Sequence, residues 1–129
     1  MNDGNCYKEE GDILAAVGRA SRRWKDAFNS GDAAGCAACY EPGAVMTARP
    51  FGTYRGTADI QGFWQNLIDD GFRQVEYIDP RVVRINHSSA VLTVKWSMNK
   101  AQGVIHRELW ILQPDGEARL REDDFEAQP

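Results

Sequence analysis

The dominant hydrophobic period of this 129-residue chain changes near Gly71, and that change bounds the folds open to it. Before Gly71 the apolar residues recur at helical steps. Ile13, Val17, Ala20, Trp24, Ala27 and Phe28 advance mostly by threes and fours, which draws one helix face from about Asp12 to Asn29. Asn29-Ser30-Gly31 ends that helix, because Gly31 can take a left-handed cap. Asp32 caps a second, shorter helix to about Tyr40. Ile60, Phe63, Trp64, Leu67 and Ile68 form the apolar stripe of a third, with Thr57 as its cap and Gly71 as its stop. Residues 1–11 carry no period and read as a flexible N-terminus, leaving residues 12–127 as one domain.

Beyond Gly71 the period is two. Arg73 to Asp79, Arg81 to Asn86, Ala90 to Met98, Val104 to Leu112 and Ala118 to Phe125 read as strands. Ala44 to Ala48 reads as a short earlier strand, and Pro50 to Gly56 as a loop. Gln113-Pro114-Asp115-Gly116-Glu117 is a hairpin turn, with proline presetting its first corner and glycine supplying the positive φ. Helices first and strands later predict an α+β fold with an antiparallel sheet.

Composition narrows the function classes. The net charge is −4, which disfavours attraction to nucleic acid or to an anionic membrane. No apolar run approaches the roughly 20 residues of a membrane span. The polar opening, Met1-Asn2-Asp3-Gly4-Asn5, is unlike a secretory leader, so a cytoplasmic location is expected. Three cysteines exclude a full disulfide framework. Cys36 and Cys39 form a lone C-x-x-C inside a helical stretch, with no second pair to complete a metal site. Phosphate loops, nucleophile elbows and metal-ligand motifs are missing, so neither cofactor nor metal is expected.

Two strand details bear on the site. Val104 to Leu112 is apolar at both parities, although an antiparallel sheet normally wets one face. The helices can cover one face; a second copy of the chain is the simplest cover for the other. In the last strand the apolar parity switches between Leu120 and Phe125, which predicts a β-bulge near Arg121 or Glu122.

The segment Trp24-Lys25-Asp26-Ala27-Phe28-Asn29-Ser30-Gly31-Asp32 is similar to the end of the first helix in the nuclear-transport-factor-two-like superfamily, which includes ketosteroid isomerases and SnoaL-like cyclases. Tyr40-Glu41-Pro42-Gly43-Ala44-Val45, Tyr54-Arg55-Gly56-Thr57-Ala58-Asp59-Ile60 and Glu108-Leu109-Trp110 resemble further segments of it. The resemblance covers about residues 12 to 127. It implies a curved antiparallel sheet wrapped around three N-terminal helices, a cone-shaped, cystatin-like α+β barrel. The cone's open end would admit a small ligand, and the sheet's outer face would make a homodimer. By the same resemblance Trp24 stands where the isomerases carry a tyrosine, and the position of their aspartate base falls near Ala48, so steroid isomerase chemistry is not expected. Glu108 alone has a counterpart, in their oxyanion acid.

The residues themselves offer another constellation. His106, Glu108 and Trp110 share a strand face at period two. A bulge near Arg121 brings Asp123 and Phe125 to the same interior; a straight hairpin would bring Leu120 and Glu122 instead. Glu108 among Trp24, Phe28, Trp64, Trp96 and Trp110 would lose hydration, raising its pKa toward values useful for acid/base work. Glu108, Asp123 and His106 are therefore the candidate catalytic residues. Trp24, Phe28, Tyr40, Met46, Phe63, Trp64, Trp96, Trp110, Arg121 and Phe125 are the candidate contacts for a small apolar or aromatic ligand. The expected activity is an isomerase, cyclase or dehydratase acting on a small carbonyl compound. The alternative is a non-catalytic ligand-binding or dimerisation module, in which Glu108 and Asp123 merely pair with Arg107, Arg121 or His106.

Overall fold

The computed structural model describes residues 2–129, with side chains from Ile13 onward. The expected flexible segment, 1–11, lies outside the residues whose side chains are described. Helix α1 (Asn2–Asn29) buries Ile13, Val17, Ala20, Trp24 and Phe28, the stripe that its spacing predicts. Gly31, at φ +80°, turns the chain into α2 (Ala33–Ala37), where the Asp32 carboxylate accepts the Gly35 N–H at 2.9 Å. Helix α3 (Gly56–Asp69) buries Ile60, Phe63 and Trp64. Thr57 does not cap it. The chain enters from extended Arg55 through Gly56 at φ +81°, with no side-chain cap at all. None of these helices is long and apolar enough to cross a membrane.

The six strands are β1 (Tyr40–Arg49), β2 (Gly52–Arg55), β3 (Glu76–Asn86), β4 (Ser89–Ser97), β5 (Gln102–Leu112) and β6 (Ala118–Gln128). They form one curved sheet in the order β2-β1-β6-β5-β4-β3, and it does not close: β2 and β3 are edges. Every ladder is antiparallel except β1–β6, which is parallel. Two expectations shift. The glycine- and proline-rich loop after Ala48 contains β2, because hairpin pairing of Met46 with Tyr54 and Thr47 with Thr53 outweighs local composition. The two strands expected around Pro80 are one, irregular where Asp79 takes φ +53°.

Two bulges set which side chains face the helices. Trp110 pairs with Leu120 but Leu109 with Glu122, so Arg121 is the extra residue on β6, where the parity switch predicts a bulge. Ile105 pairs with Phe125 but Arg107 with Asp124, so His106 is an extra residue on β5. One core cluster runs from Ile13 to Phe125 between the helices and the concave sheet face.

Candidate active site

The β5 bulge overturns one expectation. Straight alternation would point His106 inward with Glu108 and Trp110. The extra residue instead lets Ile105, Glu108 and Trp110 face in, while His106 turns outward and bonds Glu126 at 2.8 Å. Arg121, the extra residue of β6, also points out, onto Glu41 at 2.7 Å. Neither reaches the interior.

Glu108 and Asp123 are cross-strand partners and both are buried, at 5% and 4% exposure. Glu108 accepts the Trp110 indole N–H at 3.0 Å. Asp123 accepts the Tyr40 hydroxyl at 2.7 Å on Oδ2; its Oδ1 is buried with no partner. Tyr40 is thus an interior residue, 2% exposed at the start of β1. The basic side chains expected to pair with them are engaged elsewhere: Arg107 with Glu122, Arg121 with Glu41 and His106 with Glu126.

Burial without a direct ion pair raises both carboxyl pKa values. Loss of hydration holds Glu108 well above the ordinary glutamate range; Asp123 adds to this, and the Trp110 hydrogen bond and Lys25 charge oppose it. Loss of hydration pushes Asp123 up to about 7, against the pull of the Tyr40 hydrogen bond. Burial likewise drives the Tyr40 phenol upward, so it stays a neutral donor at physiological pH. Two such carboxyls can keep a proton between them near neutrality, which lets one accept a proton while the other donates.

The pair lines a cavity of about 160 Å³. Five expected contacts line it with them: Trp24, Phe63, Trp64, Trp96 and Phe125. The expected contacts Phe28, Met46, Tyr40 and Trp110 are buried behind that wall. Sequence reasoning did not assign Leu67, Phe72, Val75, Tyr77, Met98, Lys100 or Ile105 to the lining, nor Phe51, which is 58% exposed. Two of them left a signal: Leu67 lies on the α3 stripe with Phe63 and Trp64, and Met98 alternates with Trp96. The wall is ordered by ring packing. Trp64 stacks on Phe125 at 5.6 Å, and Trp24 meets Trp64 edge-on at 4.9 Å. Gly103 admits the Trp96 ring, since a Cβ there would sit 2.6 Å from Trp96 Cζ2 and 1.9 Å from the Glu126 carbonyl oxygen. The indole N–H groups of Trp24, Trp64 and Trp96 are buried with no hydrogen-bond partner. Each such donor carries a desolvation cost of about 1–3 kcal/mol. Cys36 and Cys39 are buried free thiols outside this lining. Among the described residues no cluster of three or more His, Cys, Asp or Glu could hold a metal ion.

A half-open, curved sheet folded over three helices, with a site between them, defines the cystatin-like cone of the nuclear-transport-factor-two-like superfamily. Within it the chain belongs to the SnoaL-like domain family, whose model matches residues 21–119. The structure is similar to that of a ketosteroid isomerase-like protein from Erwinia carotovora atroseptica, at TM-score 0.76 and 15% identity over 90% of this chain and 97% of that one. It is similar to a scytalone dehydratase-like protein from Novosphingobium aromaticivorans, at TM-score 0.76 and 11% identity over 100% and 89%. A cystatin-like protein of unknown function from Nostoc punctiforme matches at TM-score 0.74 and 12% identity over 90% and 91%. At such identities the likeness is one of fold. No curated protein matches the chain by sequence.

Proposed function

We propose that this chain is an acid/base enzyme of the isomerase, cyclase or dehydratase type, working with its own carboxyl groups on a small apolar carbonyl compound. One observation carries the reading: two adjacent buried carboxyls share an aromatic cavity, and neither forms an ion pair among the described residues. Asp123, with Oδ1 unpartnered, is the base. It takes a proton from the carbon beside the carbonyl; the C–H electrons move to the carbonyl oxygen as an enolate. Neutral Glu108 donates a hydrogen bond to that oxygen. Where the substrate carries a β,γ double bond, return of the proton from Asp123 to the γ-carbon gives the conjugated isomer; where it carries a β-hydroxyl, transfer of that proton to the hydroxyl oxygen as the C–O bond breaks releases water and gives the dehydrated product. The test is deuterium exchange at the α-carbon of 2-tetralone, followed by NMR in D₂O. Exchange faster than in buffer, lost in Asp123→Asn and in Glu108→Gln, supports the reading. Binding of 2-tetralone without faster exchange would replace it with the non-catalytic ligand-binding module.

The outer sheet face supports a second element, homodimerisation. Val83, Val91 and Leu109 are cross-strand neighbours on the face away from the helices, and Val83 and Ile85 on edge strand β3 are more than half exposed, at 57% and 53%. An exposed apolar edge strand needs a cover. Light scattering at micromolar concentration should return twice the chain mass, and Val83→Asp should halve it. A wild-type monomer would contradict the dimer.

A further inference from the structure

The cavity has two chemically different ends. Glu108 and Asp123 line it in the interior, whereas Lys100, which is exposed, lines it at the rim. Lys100 is the one cation among the lining residues. Its ammonium is not free to wander. It donates to the Asp70 carbonyl at the end of α3, and it sits 4.6 Å above the Phe72 ring, another lining residue. A helix C-terminus favours a cation, which accounts for one of its three N–H donors. No carboxylate pairs with Lys100 among the described residues, whereas Arg49, Arg107, Arg119 and Arg121 each have one.

We propose that Lys100 is a specificity residue that selects an oxygenated ring compound carrying an anionic tail, seated with its neutral oxygen inside and its anion at the rim. The inference rests on the cavity being a ligand site and extends it to the class of ligand. The interior suits a neutral ring: Trp24, Phe63, Trp64, Trp96 and Phe125 line it. The same interior repels an anion, because Glu108 and Asp123 already face it. A carboxylate therefore finds its complement only at Lys100. Size agrees with this arrangement. A cavity of about 160 Å³ encloses roughly one ring, as apolar cavities of about 150 Å³ hold benzene, so a second ring or a tail must extend toward the mouth.

The test compares two probes of equal shape, 3-(4-hydroxyphenyl)propanoate and 4-propylphenol, titrated into the full chain with tryptophan fluorescence and calorimetry as readouts. The acid should bind roughly fivefold tighter than the neutral phenol, the upper end for an ion pair at an exposed site. High salt should shrink that preference. Lys100→Gln should abolish it and leave 4-propylphenol affinity unchanged, while Lys100→Arg should keep it. If Lys100→Gln unfolds the end of α3, Lys100→Arg and the salt series still carry the comparison. Equal binding of both probes by wild type, or a preference that survives in Lys100→Gln, would overturn the anion assignment and leave the cavity intact as a ligand site. Failure of both probes to bind would overturn the ligand site along with it.

Discussion

Glu122, Asp123 and Asp124 are consecutive on β6, yet they live in two different solvents. Asp124 faces out and meets Arg49 at 3.0 Å, and Glu122 faces out and meets Arg107 at 3.2 Å. Asp123 faces in and meets a phenol, a second carboxyl and aromatic rings. The pKa values divide accordingly. The hydrogen bond from Arg49 holds Asp124 below the ordinary carboxylate range, whereas burial pushes Asp123 up to about 7. The difference comes from strand alternation and two bulges, not from residue type. The outer face uses its carboxylates to anchor surface arginines; the inner face keeps a pair that can exchange protons near neutral pH.

The comparison can be broken most strongly at the reaction itself. Asp123→Asn or Glu108→Gln should slow α-proton exchange on 2-tetralone by about a hundredfold or more, the scale of a lost general base or acid. His106→Gln and Arg107→Gln, changes on the outer face, should leave the rate within about twofold, because neither residue lines the cavity. Equal losses from inner and outer changes would erase the distinction.

Gly103→Ala probes the inner wall sterically. Its Cβ would meet the Glu126 carbonyl oxygen and the Trp96 ring at distances no real Cβ adopts. Thermal unfolding should show a loss of about 1–3 kcal/mol, as overpacking does, together with weakened ring binding. Wild-type stability and binding in Gly103→Ala would contradict the wall described here.

The pH dependence of stability sharpens the same contrast. A carboxyl whose pKa is raised by folding binds more protons in the native state, so its contribution is full below the unfolded pKa, near 4, and is lost as pH rises through the folded value. For Asp123 that window runs from about 4 to about 7. Asp123→Asn should flatten this part of the stability profile, and at pH near 8 it should stabilise the protein by on the order of 1–3 kcal/mol, measured by urea unfolding. Asp124 behaves oppositely, since its lowered pKa contributes stability above the unfolded value that is lost on acidification. Smallest of all, Arg107→Gln should cost at most about 1 kcal/mol, and less at high salt, as exposed ion pairs do.

Much of this was legible before any coordinates. The change of period separated helices from sheet, and the apolar stripes named the buried faces of α1 and α3. The parity switch between Leu120 and Phe125 located the β6 bulge and so turned Asp123 inward. The β5 bulge left a mark of the same kind that was open to a second reading. Ile105 and Trp110 are of opposite parity and both are buried, which looked like a strand apolar on two faces. The bulge at His106 accounts for that pair; Leu109 and Ile111 remain half-buried on the outer face. His106 was misplaced for this reason alone. Strand β2 and the rim residue Lys100 lay in segments whose glycine, proline and polar content reads as loop; pairing with β1 makes β2 a strand, and the path of the chain past the end of α3 brings Lys100 to the rim.

Site-resolved carbon NMR of the carboxyl groups, titrated from acid to alkaline pH, tests the central claim most directly. Asp123 should titrate near 7 and Glu108 well above the ordinary glutamate range, with Asp124 below the ordinary aspartate range in the same spectra. Ordinary carboxylate titrations for both Glu108 and Asp123 would contradict it.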